Sequence, residues 1–112
     1  MDKVTQYRKL VKEQLSKMAA NFRQSNQWEI IEAYDDERGQ YLLFTDGWVG
    51  DKRDYGCFMH LEVKDNGRIW LRRDGTDFNI GQELLDEGVP KSDIVLGFKS
   101  PNMRAFSEFA IN

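Results

Sequence analysis

Cys57 and His60 are the residues of this sequence whose types first suggest chemistry, because a thiol activated by an imidazole can act as a nucleophile. Both lie in a stretch typical of a β-strand, residues 55–63. Residues three apart on a regular strand point to opposite faces, so we expect the two side chains not to meet. We interpret Cys57 as a small buried hydrophobic residue and His60 as a hydrogen-bonded residue on a polar face, and we assign no catalytic residue.

Carboxylates that could bind Mg²⁺ are the second candidate, because metal-dependent nucleases gather such groups. Five acidic residues fall at the ends of predicted strands or on one polar strand face: Asp46, Asp51, Asp54, Glu62 and Asp74. Glu62 with Lys64 two residues later is loosely similar to a restriction-nuclease signature, but so short a pattern arises readily among 19 acidic residues. Such a nuclease core also needs crossover helices, so we assign no metal ligand. Glycine-rich phosphate-binding motifs are missing too, and we expect no cofactor.

Arginine and tryptophan side chains point to a different kind of function, the binding of another macromolecule. Arg72 and Arg73 could hold a phosphate or a partner's carboxylate, although the residues that follow, 74–76, also suit a turn with a helix cap. Trp48 and Trp70 are either core aromatics or contact residues. Because aromatic and arginine side chains anchor protein interfaces, we select four candidates for a partner-binding surface: Trp48, Trp70, Arg72 and Arg104.

Composition narrows the class of protein further. The 112 residues leave room for a single domain spanning 1–112, and 40% of them are hydrophobic, enough for one core. A net charge of −3 argues against a general nucleic-acid binder, which needs a basic excess. The first residues are polar and the apolar runs are short, so we expect a cytoplasmic protein with no signal peptide and no membrane segment.

The elements that must position these residues begin with a long helix. Residues 2–22 hold no Gly or Pro, and apolar side chains recur at spacings of three and four along them: Val4, Tyr7, Val11, Leu15, Met18 and Phe22. Such spacing predicts an amphipathic helix with one buried face. The lysine-rich opposite face is either solvated or a contact for nucleic acid or an acidic partner. Residues 21–26 suggest a polar linker.

Four strands are predicted next, at 28–34, 40–45, 55–63 and 68–73, with tight connections rich in Asp and Gly. Connections this short imply an antiparallel meander, because parallel pairs need long crossovers. The fold class is therefore α+β, with the long N-terminal helix packed on a four-stranded antiparallel meander and short C-terminal helical segments.

The C-terminal third has weaker signals. Ile80, Leu84 and Leu85 have helical spacing, and Thr76 or Asp77 could cap that helix. The apolar run 94–98 predicts either a short strand or a buried extended segment. Pro101 is placed to start a last short helix, since proline favours the first helical position.

Taken together, several stretches resemble the XisI family, the fdxN element excision controlling factors of cyanobacteria. The resemblance runs through nearly the whole chain, at residues 1–8, 41–43, 47–48, 56–63, 67–71, 74–76, 83–85, 88–98, 101, 104 and 106–110. Its most specific stretch is 88–98, Gly-Val-Pro-Lys-Ser-Asp-Ile-Val-Leu-Gly-Phe. Mild departures occur at Lys99, where His is frequent, at 105–107, where Pro-Tyr-Thr is more usual, and at Arg72, which often corresponds to Gln.

The resemblance implies a control function in the programmed excision of a DNA element, beside a companion protein, XisH, and a separate recombinase. It carries no catalytic motif that maps onto this chain, so we expect no enzyme. Our leading hypothesis is a non-enzymatic controlling factor that binds an XisH-like companion and contacts DNA at most indirectly.

Two alternatives and an expected self-association accompany that hypothesis. The chain could instead be a DNA-binding accessory factor for a site-specific recombinase, using basic residues of two groups: Lys9, Lys12 and Lys17, or Arg68, Arg72 and Arg73. An unrecognised enzyme is the other alternative. We also expect a homodimer that joins sheets or buries the apolar C-terminal end, because a sheet with two edges and many aromatics has more apolar surface than one helix covers.

Overall fold

The computed structural model describes residues 2–25 and 28–112 and has the predicted elements with one strand more. The helices are α1 (Lys3–Ser25), α2 (Ile80–Asp86) and α3 (Pro101–Arg104), and a 3₁₀ turn spans Lys91–Asp93. The strands are β1 (Glu29–Asp35), β2 (Gln40–Val49), β3 (Lys52–Val63), β4 (Ile69–Asp74) and β5 (Ile94–Val95).

The sheet is mixed and has the strand order β1-β2-β3-β4-β5. Its first four strands form the predicted antiparallel meander. The expectation of four strands was wrong, because β5 adds to the β4 edge in parallel, with Ile69 beside Ile94 and Trp70 beside Val95. The connection through α2 supplies the crossover that a parallel pair requires. The run 94–98 thus contributes two paired residues and then leaves the sheet.

Helix α1 packs on one face of the sheet, as its apolar spacing predicts. Val11, Leu15 and Met18 are buried there, and they meet alternate strand residues such as Tyr41 and Leu61. The helix continues to Ser25, so most of the predicted linker 21–26 is helical; its last residue, like residue 27, lies outside the described residues. Across the described ranges, no helix is long and apolar enough to cross a membrane.

The cap of α2 differs from the prediction. Asn79, rather than Thr76 or Asp77, precedes the helix, and its side-chain oxygen accepts a hydrogen bond of 3.1 Å from the Gln82 backbone N–H. Thr76 instead closes a local turn with Asp74, whose Oδ1 accepts from the threonine hydroxyl at 2.7 Å. The tertiary position of the chain decides where the first helical turn begins, and Thr76, Asp77 and Asn79 are all residue types that can cap a helix.

We expect Asn79→Ala to lower the free energy of unfolding by about 1 kcal/mol, because it removes the acceptor for an otherwise unpaired helical N–H. Asn79→Ser keeps a capping oxygen and should cost only a few tenths of that amount. Urea denaturation followed by circular dichroism measures both. Equal losses in the two variants would show that the capping bond is not the source of the effect.

Candidate protein-binding surface

The face of the sheet opposite α1, called the open face below, is apolar at its centre. Strand alternation places four apolar residues side by side there: Ile31, Ala33, Leu42 and Phe44. All four are partly exposed, unlike the buried residues that face α1. Tyr55, which is 60% exposed, stacks on Phe44 with 6.5 Å between ring centroids. A partly exposed apolar centre of this kind is typical of a surface that binds another protein.

One end of the open face carries a basic cluster around the indole of Trp70. The cations of Lys64, Arg72 and Arg104 lie 4.6, 4.4 and 4.9 Å from the ring centroid. Each distance is in the range of a cation–π contact, which holds the long side chains in place. We call Lys64, Trp70, Arg72 and Arg104 the Trp70 cluster.

The Trp70 cluster has more positive charge than its neighbours neutralise. Glu62 accepts from Arg72 at 2.7 Å, but no carboxylate in the described ranges pairs with Lys64 or Arg104. Among the described residues, the Arg104 guanidinium donates only to the backbone carbonyls of Leu96 and Gly97. Trp70 is 8% exposed, and its buried Nε1–H has no acceptor among the described residues. The unpaired charges of Lys64 and Arg104 suit an acidic group brought by a partner.

The residues next to Arg104 extend this basic cluster with apolar side chains. Met103 and Phe106 are 53% and 85% exposed, and the Phe106 N–H donates to the Met103 carbonyl, so they lie one turn apart. Side chains three apart in such a turn share a face. Lys99, in the turn that precedes α3, is exposed, lines a groove with Leu96 and Phe98, and has no carboxylate partner within the described part of the chain. We call Lys99, Met103, Arg104 and Phe106 the α3 surface.

Trp48 lies far from the Trp70 cluster. It is 57% exposed and stands opposite Arg53 where β2 and β3 join, whereas Trp70 pairs with Glu62 nine residues farther along β3. The Arg53 guanidinium lies 5.2 Å from the Trp48 ring centroid and 2.5 Å from Asp46. At a rise of about 3.3 Å per residue, the two tryptophans are about 30 Å apart along the sheet. The structure thus brings together three of the four candidate interface residues and leaves Trp48 apart.

Sequence reasoning missed Lys64, Met103 and Phe106. Lys64 could have been predicted from the sequence. A tight turn at 65–67 pairs Glu62 with Trp70 and places Lys64 at the same end of the sheet as Trp70. The other two gave no signal, since a short apolar segment is as easily buried as exposed.

Cys57 and His60 both lie on the open face, so the expectation that they point to opposite faces was wrong. A bulge at Phe58 pairs Cys57 with Phe44, while His60 pairs with Leu42, and the extra residue resets the alternation. The two side chains still have separate partners: the Cys57 thiol donates to Met59 and His60 contacts Gln40 at 2.7 Å. Burial raises the pKa of the thiol and, with the Arg72 charge, lowers the pKa of the imidazole.

The acidic residues considered as metal ligands are dispersed. Asp46 pairs with Arg53, Asp54 accepts from Thr45 and Glu62 pairs with Arg72. Across residues 2–25 and 28–112, no group of three or more Cys, His, Asp or Glu side chains is arranged to hold a metal ion.

Several basic residues of the DNA-binding alternative are already engaged. Lys12 pairs with Asp36, Arg68 with Asp93, and Arg73 donates to the Cys57 carbonyl. The pairing lowers the positive charge that these residues could offer to phosphates, although Lys9 remains exposed on α1.

Comparison with known proteins places the chain in one family. A family model described as XisI protein matches residues 1–111. A solved XisI-like protein from Anabaena variabilis is 37% identical, with a TM-score of 0.90 over 97% of this chain and 99% of that one. The solved fdxN element excision controlling factor XisI from the same organism is 36% identical, with a TM-score of 0.82 over 99% and 100% of the two chains. No curated protein matches the chain.

Proposed function

The chain belongs to the XisI family, and from that premise we propose that it controls excision of a DNA element by binding a companion protein similar to XisH, without catalysing strand cleavage. The 36%-identical relative is named an fdxN element excision controlling factor, a description of control rather than of an enzyme. Near-complete coverage of both chains supports the same role here.

The observation that carries the proposal is the α3 surface. Met103 and Phe106 expose apolar side chains on one face of the turn that also contains Arg104, whose charge has no carboxylate partner in the described ranges. Apolar and arginine anchors in one small area are characteristic of protein interfaces. A segment of the companion with apolar side chains beside an acidic one would complement this surface.

Trp70 and Arg72 contribute to the proposed interface by positioning its anchor. Trp70 lies under the Arg104 guanidinium at 4.9 Å, and Arg72 packs on the same ring while Glu62 holds it. A held guanidinium loses less side-chain entropy on binding than a free one. Trp48 is assigned to a separate contact, described below.

We expect Lys99→Glu and Phe106→Ser each to weaken binding of an XisH-like companion at least tenfold. The first reverses an unpaired charge, and the second removes an 85%-exposed aromatic side chain that the fold does not need. Co-expression followed by size-exclusion chromatography and titration calorimetry measures the loss. Lys9→Glu, an equivalent charge reversal on α1, is the matched control and should leave companion binding unchanged.

The salt dependence of binding separates the proposal from direct DNA binding. A protein interface with an apolar centre should depend weakly on salt, whereas DNA affinity should fall steeply as salt rises, because neutralised phosphates release counterions. The proposal fails if the companion does not co-elute while the isolated protein binds element-end DNA tightly. Loss of that DNA binding in Lys9→Glu would then identify α1 as the contact.

A further inference from the structure

The open face needs a partner of its own, because its apolar centre lies away from the α3 surface. We propose that a second copy of this chain covers it, related by a twofold axis that runs parallel to the strands and between β2 and β3. This inference does not rest on the proposed companion. It follows from the apolar centre, from the unequal charges on the β1 and β4 sides of the face and from the strand register.

The charges of the open face are unequal from side to side. The turn that joins β1 to β2 carries three carboxylates, Asp35, Asp36 and Glu37, and one cation, Arg38. Asp36 pairs with Lys12 and Asp35 pairs with Arg38 at 3.1 Å. Glu37 is 86% exposed in its side chain and lies 4.0 Å from Arg38, so it is the carboxylate most accessible to a partner. At the same level of the sheet, on the β4 side, lies the Trp70 cluster. The register shows the shared level directly, because Asp35 pairs with Gln40, Gln40 with Glu62, and Glu62 with Trp70.

This arrangement favours one orientation of the two copies. A twofold axis parallel to the strands exchanges the β1 and β4 sides and keeps the level, so each Glu37 meets the partner's Lys64, which follows β3, while Arg104 stays with the α3 surface. A twofold axis that also lies in the interface plane but runs perpendicular to the strands would place β1 on the partner's β1. In that arrangement Glu29 would lie against the partner's acidic turn. Attraction between opposite charges favours the first arrangement, whereas repulsion between like charges disfavours the second.

The positions of Trp48 and Arg53, at the other end of the open face, are consistent with the same twofold axis. They are direct neighbours across β2 and β3, so exchange of these strands places each Trp48 over the partner's Arg53. Arg53 already lies over the rings of Trp48 and Tyr55, at 5.2 and 4.9 Å. The dimer would sandwich this guanidinium between aromatic rings of both copies, which explains why a large indole is exposed here.

The size of the face matches the requirement of a dimer. Strand spacing of about 4.8 Å and rise of about 3.3 Å give a face of about 20 by 30 Å with its side chains, or about 1,200 Å² over both copies. Stable protein interfaces start at about that area. The contact is isologous, so every attraction occurs twice.

Charge exchange tests the orientation. We expect a dimer at micromolar concentrations by sedimentation velocity, and we expect Glu37→Lys and Lys64→Glu each to weaken it at least tenfold. Because the two residues meet across the interface, the double variant restores both contacts and should recover dimerisation to within a few-fold. Glu87→Lys, an exposed reversal at the end of α2, is the matched control and should change nothing.

Circular dichroism checks that each variant is folded. Glu37 lies on an exposed turn, so we expect reversal of its charge to leave the core intact. A wild-type protein that sediments as a monomer at micromolar concentrations would overturn the proposal. So would single variants that dimerise normally, or a double variant weaker than either single one. Lys99→Glu and Phe106→Ser should keep the dimer, so loss of companion binding and loss of the dimer are distinguishable.

Discussion

Replacing Gly39 by alanine should lower the free energy of unfolding by about 3 kcal/mol or more, the largest effect expected of a single methyl group in this protein. Gly39 has φ of +67°, and a Cβ there would lie 2.2 Å from the carbonyl oxygen of Val63. The clash is with backbone, which cannot rotate away. Gly39 also accepts a 2.9 Å hydrogen bond from the Val63 N–H, so the turn cannot shift without losing that bond.

Gly50 provides the matched control for this prediction. Its φ is +60°, nearly the same, but a Cβ there would meet nothing within 4 Å. Gly50→Ala should therefore cost only the left-handed backbone strain, about 1–2 kcal/mol. Urea denaturation of both variants isolates the steric part as their difference. If the two variants lose equal stability, close approach to Val63 contributes nothing.

Replacing Asp93 by alanine should cost about 3 kcal/mol at neutral pH, because it removes the shared partner of three side chains. The Asp93 carboxylate is 7% exposed and accepts from the Tyr7 hydroxyl at 2.5 Å, from Lys3 at 3.3 Å and from Arg68 at 3.2 Å. It thereby joins α1 to the strands β4 and β5. Asp65→Ala is the control, since that carboxylate pairs with Arg8 at 3.3 Å but is 98% exposed. Such a surface pair contributes about 0–1 kcal/mol.

The stability that Asp93 contributes should depend on pH. Burial acts to raise the pKa of this carboxyl group, but the hydrogen bonds from Tyr7 and Lys3 and the charges of Lys3 and Arg68 outweigh it and lower the pKa. A carboxyl group with a lowered folded-state pKa stabilises the protein above its unfolded pKa of about 4, and the contribution is lost as pH falls through the folded value. The gap between wild type and Asp93→Ala in denaturation midpoint should be constant near neutrality and shrink below about pH 4. A gap that stays constant down to acid unfolding would contradict the ionic origin.

Local patterns in the sequence determined most of the α+β fold. Helix α1 follows from apolar spacing, and its buried residues Val11, Leu15 and Met18 are among those predicted. The antiparallel order of β1 to β4 follows from short turns, because tight connections leave no other pairing. The resemblance to the XisI family was also visible in the chain itself, since it depends on residue identities in order and on no contact between them.

Features that depend on residues far apart in the chain could not be predicted from local patterns. Two-residue β5 has no detectable period, and its parallel pairing with β4 depends on where α2 returns the chain. The bulge at Phe58 lets that side chain pack on Phe22, with ring centroids 5.4 Å apart, and so moves Cys57 to the open face. Arg104 reaches Trp70 across 34 positions of sequence only because the chain after β5 folds back there. Periodicity and turn chemistry act over a few residues, whereas these contacts are selected by the packing of the whole core, which no local pattern encodes.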